Sequence, residues 1–440
     1  MSAMPLMTTE KLVQQLRTFC AQPSHPKQLA DLAQMADQVA HACRSIGMRT
    51  RVVPTAGAPV VLGWKAGRSA HTVLLYHHYD VAPPGPWRTW SNEPYTLAER
   101  DDALYARGVA AGKGPLAAHL HALQCLAKDL PCNVILVAEG EALSGSPHLG
   151  EVLTAHKADL RGDFCLGSIG DRDIHGRPFC YGGAKGHVLF RLTHRGAQIP
   201  LPGGVASSIR NPAWRLTWAL SEIKGEDEDI RIDGFYDTVE GPTRAENLRM
   251  RQLQIDELGR IANWQIHEFL FGMSGNALLS AEVTLPTCHL AAFSTDSTND
   301  LAVMPSMANA ILEFQLVPKQ KPEEIATLLS NHLRARNFGD VEVEMLPGYY
   351  PPAHTPFDHP ALQTLAACGE PVFGAALSQL PSGPFAIPLQ LFSEHLQLPV
   401  ASVGLAQFHS AIFGPDEHVP LEGLLRHGQL LSEFLKRIAI

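Results

Sequence analysis

The sequence predicts an α/β protein, a mixed sheet flanked by helices, with a smaller α+β ferredoxin-like lid inserted into it. Two observations carry this. Short apolar strands alternate with amphipathic helices towards both ends of the chain, the pattern of a helix-covered and largely parallel sheet. Between them the order changes to strand, helix, strand, strand, helix, strand, the ferredoxin-like arrangement. The expected domains are residues 1–186 and 352–440 as two parts of one α/β domain, with residues 187–351 as the insert.

The elements follow in order. An opening helix from about Thr8 to Gln22 precedes a second from Pro26 to Gly47, where Leu29, Leu32, Met35, Ala36 and Val39 recur at helical spacing. A strand at Arg49 to Val53 comes next. The run Thr72-Val-Leu-Leu-Tyr76 is a buried strand that delivers His77-His78-Tyr79-Asp80 at its C-terminal tip, where open α/β sheets place their sites. A helix from Lys113 to Asp129 leads to a strand at Asn133 to Ala138 and the acidic turn Glu139-Gly-Glu141. The lid is expected as His187 to Thr193, Asn211 to Ile223, Thr287 to Phe293, Asn309 to Val317, Pro322 to Arg336 and Val341 to Met345. Within it lies an insertion of about Lys224 to Ser280, with an amphipathic helix near Ile255 to Phe271. The α/β pattern returns with a strand at Pro399 to Gly404 and a final helix from Leu421 to Ile440.

At 440 residues, 45% hydrophobic and 18% charged, the chain has enough apolar material for two cores. Its net charge of -9, with no Lys/Arg block, argues against nucleic acid as a partner. No basic and apolar leader opens the sequence, and no run of eighteen apolar residues follows, so a cytoplasmic protein with no membrane partner is expected. The eight cysteines form no CxxC pair, which signals neither a zinc ribbon nor a disulfide framework.

Five motifs stand in a telling order. They are Leu75-Tyr-His-His78-Tyr-Asp80-Val81; Trp90 followed by Pro94-Tyr95; Leu104-Tyr-Ala-Arg107-Gly108 to Lys113-Gly114; Glu139-Gly-Glu-Ala-Leu-Ser-Gly145-Ser146; and Pro415-Asp416-Glu417. Over almost the whole chain these resemble the co-catalytic dinuclear zinc peptidases, the family of carnosinase, aminoacylase, acetylornithine deacetylase and carboxypeptidase G. The resemblance implies two zinc ions that share a carboxylate and polarise a carbonyl, a glutamate as general base, and a dimer formed through the lid, which serves as the dimerisation domain.

The same resemblance implies a degenerate site. His78 is the only retained ligand position, with Asp80 in the place of the aspartate that orients it. The bridging aspartate falls on Ala111, the general base on Ala142, and the remaining ligands on Leu143, Ile169 and Phe413. In the lid, the histidine that reaches the substrate oxygen falls on Leu201 and the usual arginine on Gln315, before Leu316-Val317-Pro318. Asn211 keeps its family place before Pro212. The candidate catalytic residues are therefore Asp80 and Glu139, and the candidate substrate-binding residues are Lys113, Gln315 and Asn211. His77 is expected to face the opposite side of its strand from His78, because successive side chains alternate. A relocated metal site would draw on His77, His409 or Asp171.

From this the sequence predicts a non-catalytic homologue, a pseudoenzyme with no cofactor. It would bind a peptide-like or acylated amino-acid ligand or a partner protein, as a homodimer or as a heterodimer with an active homologue. The alternative is a hydrolase or acyl-transfer enzyme acting on an amide or dipeptide with a rebuilt or single-metal site. The apolar replacements are expected to sit in a dry pocket, where a reintroduced carboxylate would be costly.

Overall fold

The computed structural model describes residues 7–297 and 302–439. The described chain divides into two compact units. One contains the residues up to Ala184, Pro242–Thr284 and the residues from Ala353 onward; the other contains Lys185–Gly241 and Leu285–Pro352. The strand order assigns 242–284 to the lid, whereas this segment clusters with the first unit.

The first unit is built on an eight-stranded mixed sheet in the order Arg49–Val53, Val60–Lys65, Cys132–Glu139, Ser69–His78, Phe164–Gly167, Val400–Val403, Cys180–Tyr181, Gln379–Leu380. Ser69–His78 lies in its middle, parallel to both of its neighbours. Its alternation sorts the core. Val73 and Leu75 face one apolar cluster, with Leu116 and Leu120 of the helix Lys113–Leu126 and Leu431 of the helix Leu421–Ile438. Leu74 and Tyr76 face the other, with Leu149 and Leu153 of one helix and Phe392 of another. A strand buried on both faces needs this near-continuous apolar run, and such large side chains cost about 2–5 kcal/mol each when truncated to alanine. The helix Leu421–Ile438 passes close to Lys113–Leu126 because position 428 is glycine; a Cβ there would stand 2.9 Å from the Ala118 carbonyl oxygen.

The second unit contains a four-stranded antiparallel path in the order Thr287–Thr295, Met307–Leu316, Gly183–Arg195, Glu342–Met345. The helices Pro212–Ile223 and Pro322–Ala335 share its apolar core through Leu216, Ala219, Ile325 and Leu329. Pro212 opens its helix at the first position and the Asn211 side chain accepts the Ala213 N–H, which gives the helix a sharp start.

One strand escaped the sequence reading and one helix differs from its expectation. The strand Val60–Lys65 carries no alternating pattern in the sequence, because it is buried at Val60, Val61, Leu62 and Gly63 alike by pairing with Cys132–Glu139. The single amphipathic helix expected near Ile255 to Phe271 is instead Glu257–Trp264, ended by Gln265 in the left-handed region. No described helix is long and apolar enough to cross a membrane.

Candidate functional site

The carboxyl end of the strand Ser69–His78 opens into a cavity of about 1040 Å³, open mouth included, within the first unit. His78, Asp80, Ala111, Leu143, Ile169 and Phe413 all line it, although they come from five separated stretches of chain. His78 is buried, with Nδ1 3.1 Å from Asp80 Oδ1 and 3.0 Å from the Asp80 carbonyl oxygen. Two acceptors on one nitrogen place the ring proton on Nδ1 and leave Nε2 without a hydrogen-bond partner among the described residues. Burial opposes the imidazolium, but the hydrogen bonds and charge of Asp80 outweigh it and hold His78 above its ordinary value. The other Asp80 oxygen accepts the Leu143 N–H at 2.8 Å, so one carboxylate organises both the strand tip and the turn opposite.

The loop from Arg107 to Lys113 is held from below. Glu417 is buried and accepts from Arg107 Nη1 at 2.9 Å and from the backbone N–H groups of Gly108, Ala110 and Ala111. Arg107 is equally buried and also donates to the carbonyls of Ile412 and Gly414. Burial raises the Glu417 carboxyl, and the donors of Arg107, Gly108, Ala110 and Ala111, which favour its ionised form, oppose that rise. The loop needs glycine at 108 and 112, where φ is +90° and +84°, and a Cβ on Gly112 would stand 3.0 Å from the His78 ring.

The remaining candidates lie elsewhere. Glu139 is buried beneath the strand tip and accepts from Tyr76 Oη and Ser146 Oγ, both at 2.7 Å. Burial, aided by Asp80, raises its carboxyl to about 8 against these hydrogen bonds, so it is a neutral structural acid, and it is not among the cavity-lining residues. Lys113, expected as a substrate contact, is fully buried with its ammonium on the Gln22 carbonyl oxygen; burial lowers it to about 8. Asn211 is used as a helix cap and Gln315 lies on the strand Met307–Leu316, both in the second unit, as is Leu201.

His77 turns away from the cavity, as strand alternation requires, and meets His119 Nδ1 at 3.1 Å. His119 in turn stacks on His427 at 4.6 Å. This buried row of three imidazoles was not foreseen, because its members are 42 and 308 residues apart in the sequence. His409 stacks on His418 and does not line the cavity. Asp171 does line it, half-buried, with its carboxyl raised to about 6 by burial. The apolar replacements form a rim rather than the dry floor expected: Leu143 is 40% exposed and Phe413 71%.

Residues 74–437 match the model of peptidase family M20/M25/M40, and the chain belongs to that family. It is 27% identical to the β-Ala-His dipeptidase of Mus musculus over 293 residues, 64% of this chain and 59% of that protein. It is 26% identical to the cysteinylglycine-S-conjugate dipeptidase of Corynebacterium striatum, over 80% of this chain and 77% of that one. The match thus spans about three-fifths of the mouse relative's length. Among solved structures, an M20 family metallo-carboxypeptidase from Sulfolobus solfataricus superposes with a TM-score of 0.91 at 26% identity, over 98% of this chain and 99% of that one. Human carnosine dipeptidase 1 has the same fold, with a TM-score of 0.86 at 21% identity over 98% and 97% of the two chains.

The expectation of no cofactor is corrected by this membership. The family's relatives include a metallo-carboxypeptidase and a Cys-Gly metallodipeptidase of Schizosaccharomyces pombe, so metal is the cofactor of the class. The residues of this cavity do not fit a two-metal cage. His78 is one donor, Ala111, Leu143, Ile169 and Phe413 have no lone pair to give, and among the described residues no group of three or more His, Cys, Asp or Glu side chains is arranged to hold an ion.

Proposed function

We propose that the cavity receives a small peptide-like or acylated amino-acid molecule, and that this M20 protein works by binding it rather than by two-metal hydrolysis. The observation that carries this is that Ala111, Leu143, Ile169 and Phe413, the residues at the positions the resemblance gives to metal donors, all line one cavity around an intact His78–Asp80 pair. Ala142 stands in the place the resemblance gives to the general base, and the nearby acids Glu139 and Glu417 accept from internal donors, which leaves Asp171 as the one unpaired carboxyl in the lining among the described residues.

A second reading has the comparisons in its favour. The relatives are dipeptidases and a carboxypeptidase, which supports hydrolysis of an amide or dipeptide, or acyl transfer, at a rebuilt or single-metal site that keeps His78. One experiment separates the two. The protein is purified without chelator, its metal content is measured, and dipeptides, N-acyl amino acids and their amides are tested for binding by calorimetry and for cleavage with and without added zinc. Saturable binding without cleavage supports the first reading. Stoichiometric metal with metal-dependent cleavage replaces it by the second, and neither binding nor cleavage sinks both.

Pairing through the lid, with a second copy or an active homologue, remains part of the proposal. It is supported by the edge strand Thr287–Thr295, whose outer side has no strand partner among the described residues and which exposes Leu290 and Phe293.

A further inference from the structure

The polar groups of the cavity are few, and most of them are already committed. Asp80 is divided between His78 and the Leu143 N–H, Arg107 is held by Glu417 and two carbonyls, and Glu417 by Arg107 and three backbone donors. Ser168 Oγ lies 3.3 Å from His119 behind the cavity wall. Two groups are left for a ligand: His78 Nε2, and the Asp171 carboxyl, which has no hydrogen-bond or ion-pair partner among the described residues. No lysine lines the cavity, and its one arginine, Arg107, is buried with its terminal nitrogens held by Glu417 and two carbonyls, while Lys113 lies outside the lining. The rest of the wall is apolar, with Phe385 and Ile387 facing the cavity alongside Ala111, Leu143, Ile169 and Phe413. A carboxylate brought here would lose its hydration and meet Asp171, and the one cationic group it could reach, His78, is already paired with Asp80. An uncharged amide would lose little, because its carbonyl or N–H can pair with the two free groups while its apolar part covers the wall.

We propose that the cavity selects against a free carboxylate and takes a capped, apolar amide, a ligand class marked by the absence of the terminal charge that a free dipeptide carries. This narrows the proposed function to the uncharged members of its ligand class, amidated peptides and acylated amino-acid amides, and rests on its reading of the cavity as the ligand site. The pair of probes is N-acetyl-phenylalanine and N-acetyl-phenylalanine amide, which differ only at the carboxyl group, titrated calorimetrically into the full chain at pH 7.5. The amide should bind at least tenfold more tightly. Asp171→Asn should narrow that ratio severalfold by removing the like charge. Leu143→Lys, at a rim position 40% exposed and therefore tolerant of charge, should narrow it further by supplying the missing cation. An acid that binds as tightly as the amide, or a ratio that neither substitution moves, overturns the proposal while leaving the cavity as a ligand site. If neither probe binds, and dipeptides do not either, the cavity is not the ligand site and both inferences fall.

Discussion

Single residues in this protein are priced by whether their partners are also buried, and the Arg107–Glu417 pair is the sharpest case. Both side chains are about 1% exposed, so Glu417→Gln would leave a buried guanidinium with only carbonyl acceptors; breaking such a pair costs about 3–5 kcal/mol. Urea denaturation should show a loss of that size and, because Glu417 holds the 108–111 backbone, weaker ligand binding. Leu143→Glu should behave oppositely. The sequence suggested a costly carboxylate in a dry pocket, but 40% exposure gives the new charge water, and the change in stability should stay within about 0.5 kcal/mol. Glu139 adds a pH term. Its carboxyl is raised to about 8 in the fold and titrates near 4.5 when unfolded, so the folded state holds an extra proton between those values. Its stabilising contribution is full below pH 4.5 and is lost as pH rises to about 8, with a slope of up to about 1.4 kcal/mol per pH unit. Glu139→Gln should flatten that decline in denaturant midpoints measured from pH 5 to 8.

Elements carry the next set of consequences. The strand Ser69–His78 places His78 in the cavity and His77 in the core through alternation alone, so a one-residue slip would exchange their roles. In the lid, the helix Pro212–Ile223 buries Leu216, Ala219 and Ile223 while Trp214 and Trp218 stack on its exposed side, 60% and 51% exposed with ring centroids 6.1 Å apart. Leu290 and Phe293 stand on an edge strand of the same unit. Large exposed apolar side chains at a helix face and a sheet edge fit association with another chain. Leu290→Lys combined with Trp218→Lys should convert a dimer to a monomer in multi-angle light scattering, with little change in the melting temperature of the monomer's core. A wild-type chain that is already monomeric at micromolar concentration would refute the pairing.

At the scale of the whole molecule, acid sensitivity should be set by the core rather than the surface. His77, His119 and His427 join the strand Ser69–His78 to the helices Lys113–Leu126 and Leu421–Ile438, and among the described residues His119 Nε2 and both His427 nitrogens have no hydrogen-bond partner. Burial holds all three below their ordinary value, His119 at about 3. Neutral in the fold and titrating near 6.5 when unfolded, they contribute stability that is full above pH 6.5 and is lost as pH falls towards 3. Melting temperatures should therefore drop steeply between pH 6.5 and 4, and His427→Phe, close in shape to the stacked ring, should reduce that drop. An unchanged pH profile in this variant would show that the row does not set acid stability.

The sequence by itself determined the family, the α/β character and the ferredoxin-like order of the lid, and it singled out the His78–Asp80 pair and the apolar residues Ala111, Leu143, Ile169 and Phe413 that line one cavity. All of these are written in local patterns: apolar periodicity, residues two apart at a strand tip, and motifs whose flanks fix their own register. Only the tertiary structure decided what depends on partners distant along the chain. It placed Lys113 on the Gln22 carbonyl instead of in the cavity, joined Arg107 to Glu417 across 310 positions, and turned Leu143 and Phe413 outward to the rim. It also grouped residues 242–284 with the first unit. Burial and pairing are properties of the space around a side chain, and no spacing along the sequence encodes how much water that space retains.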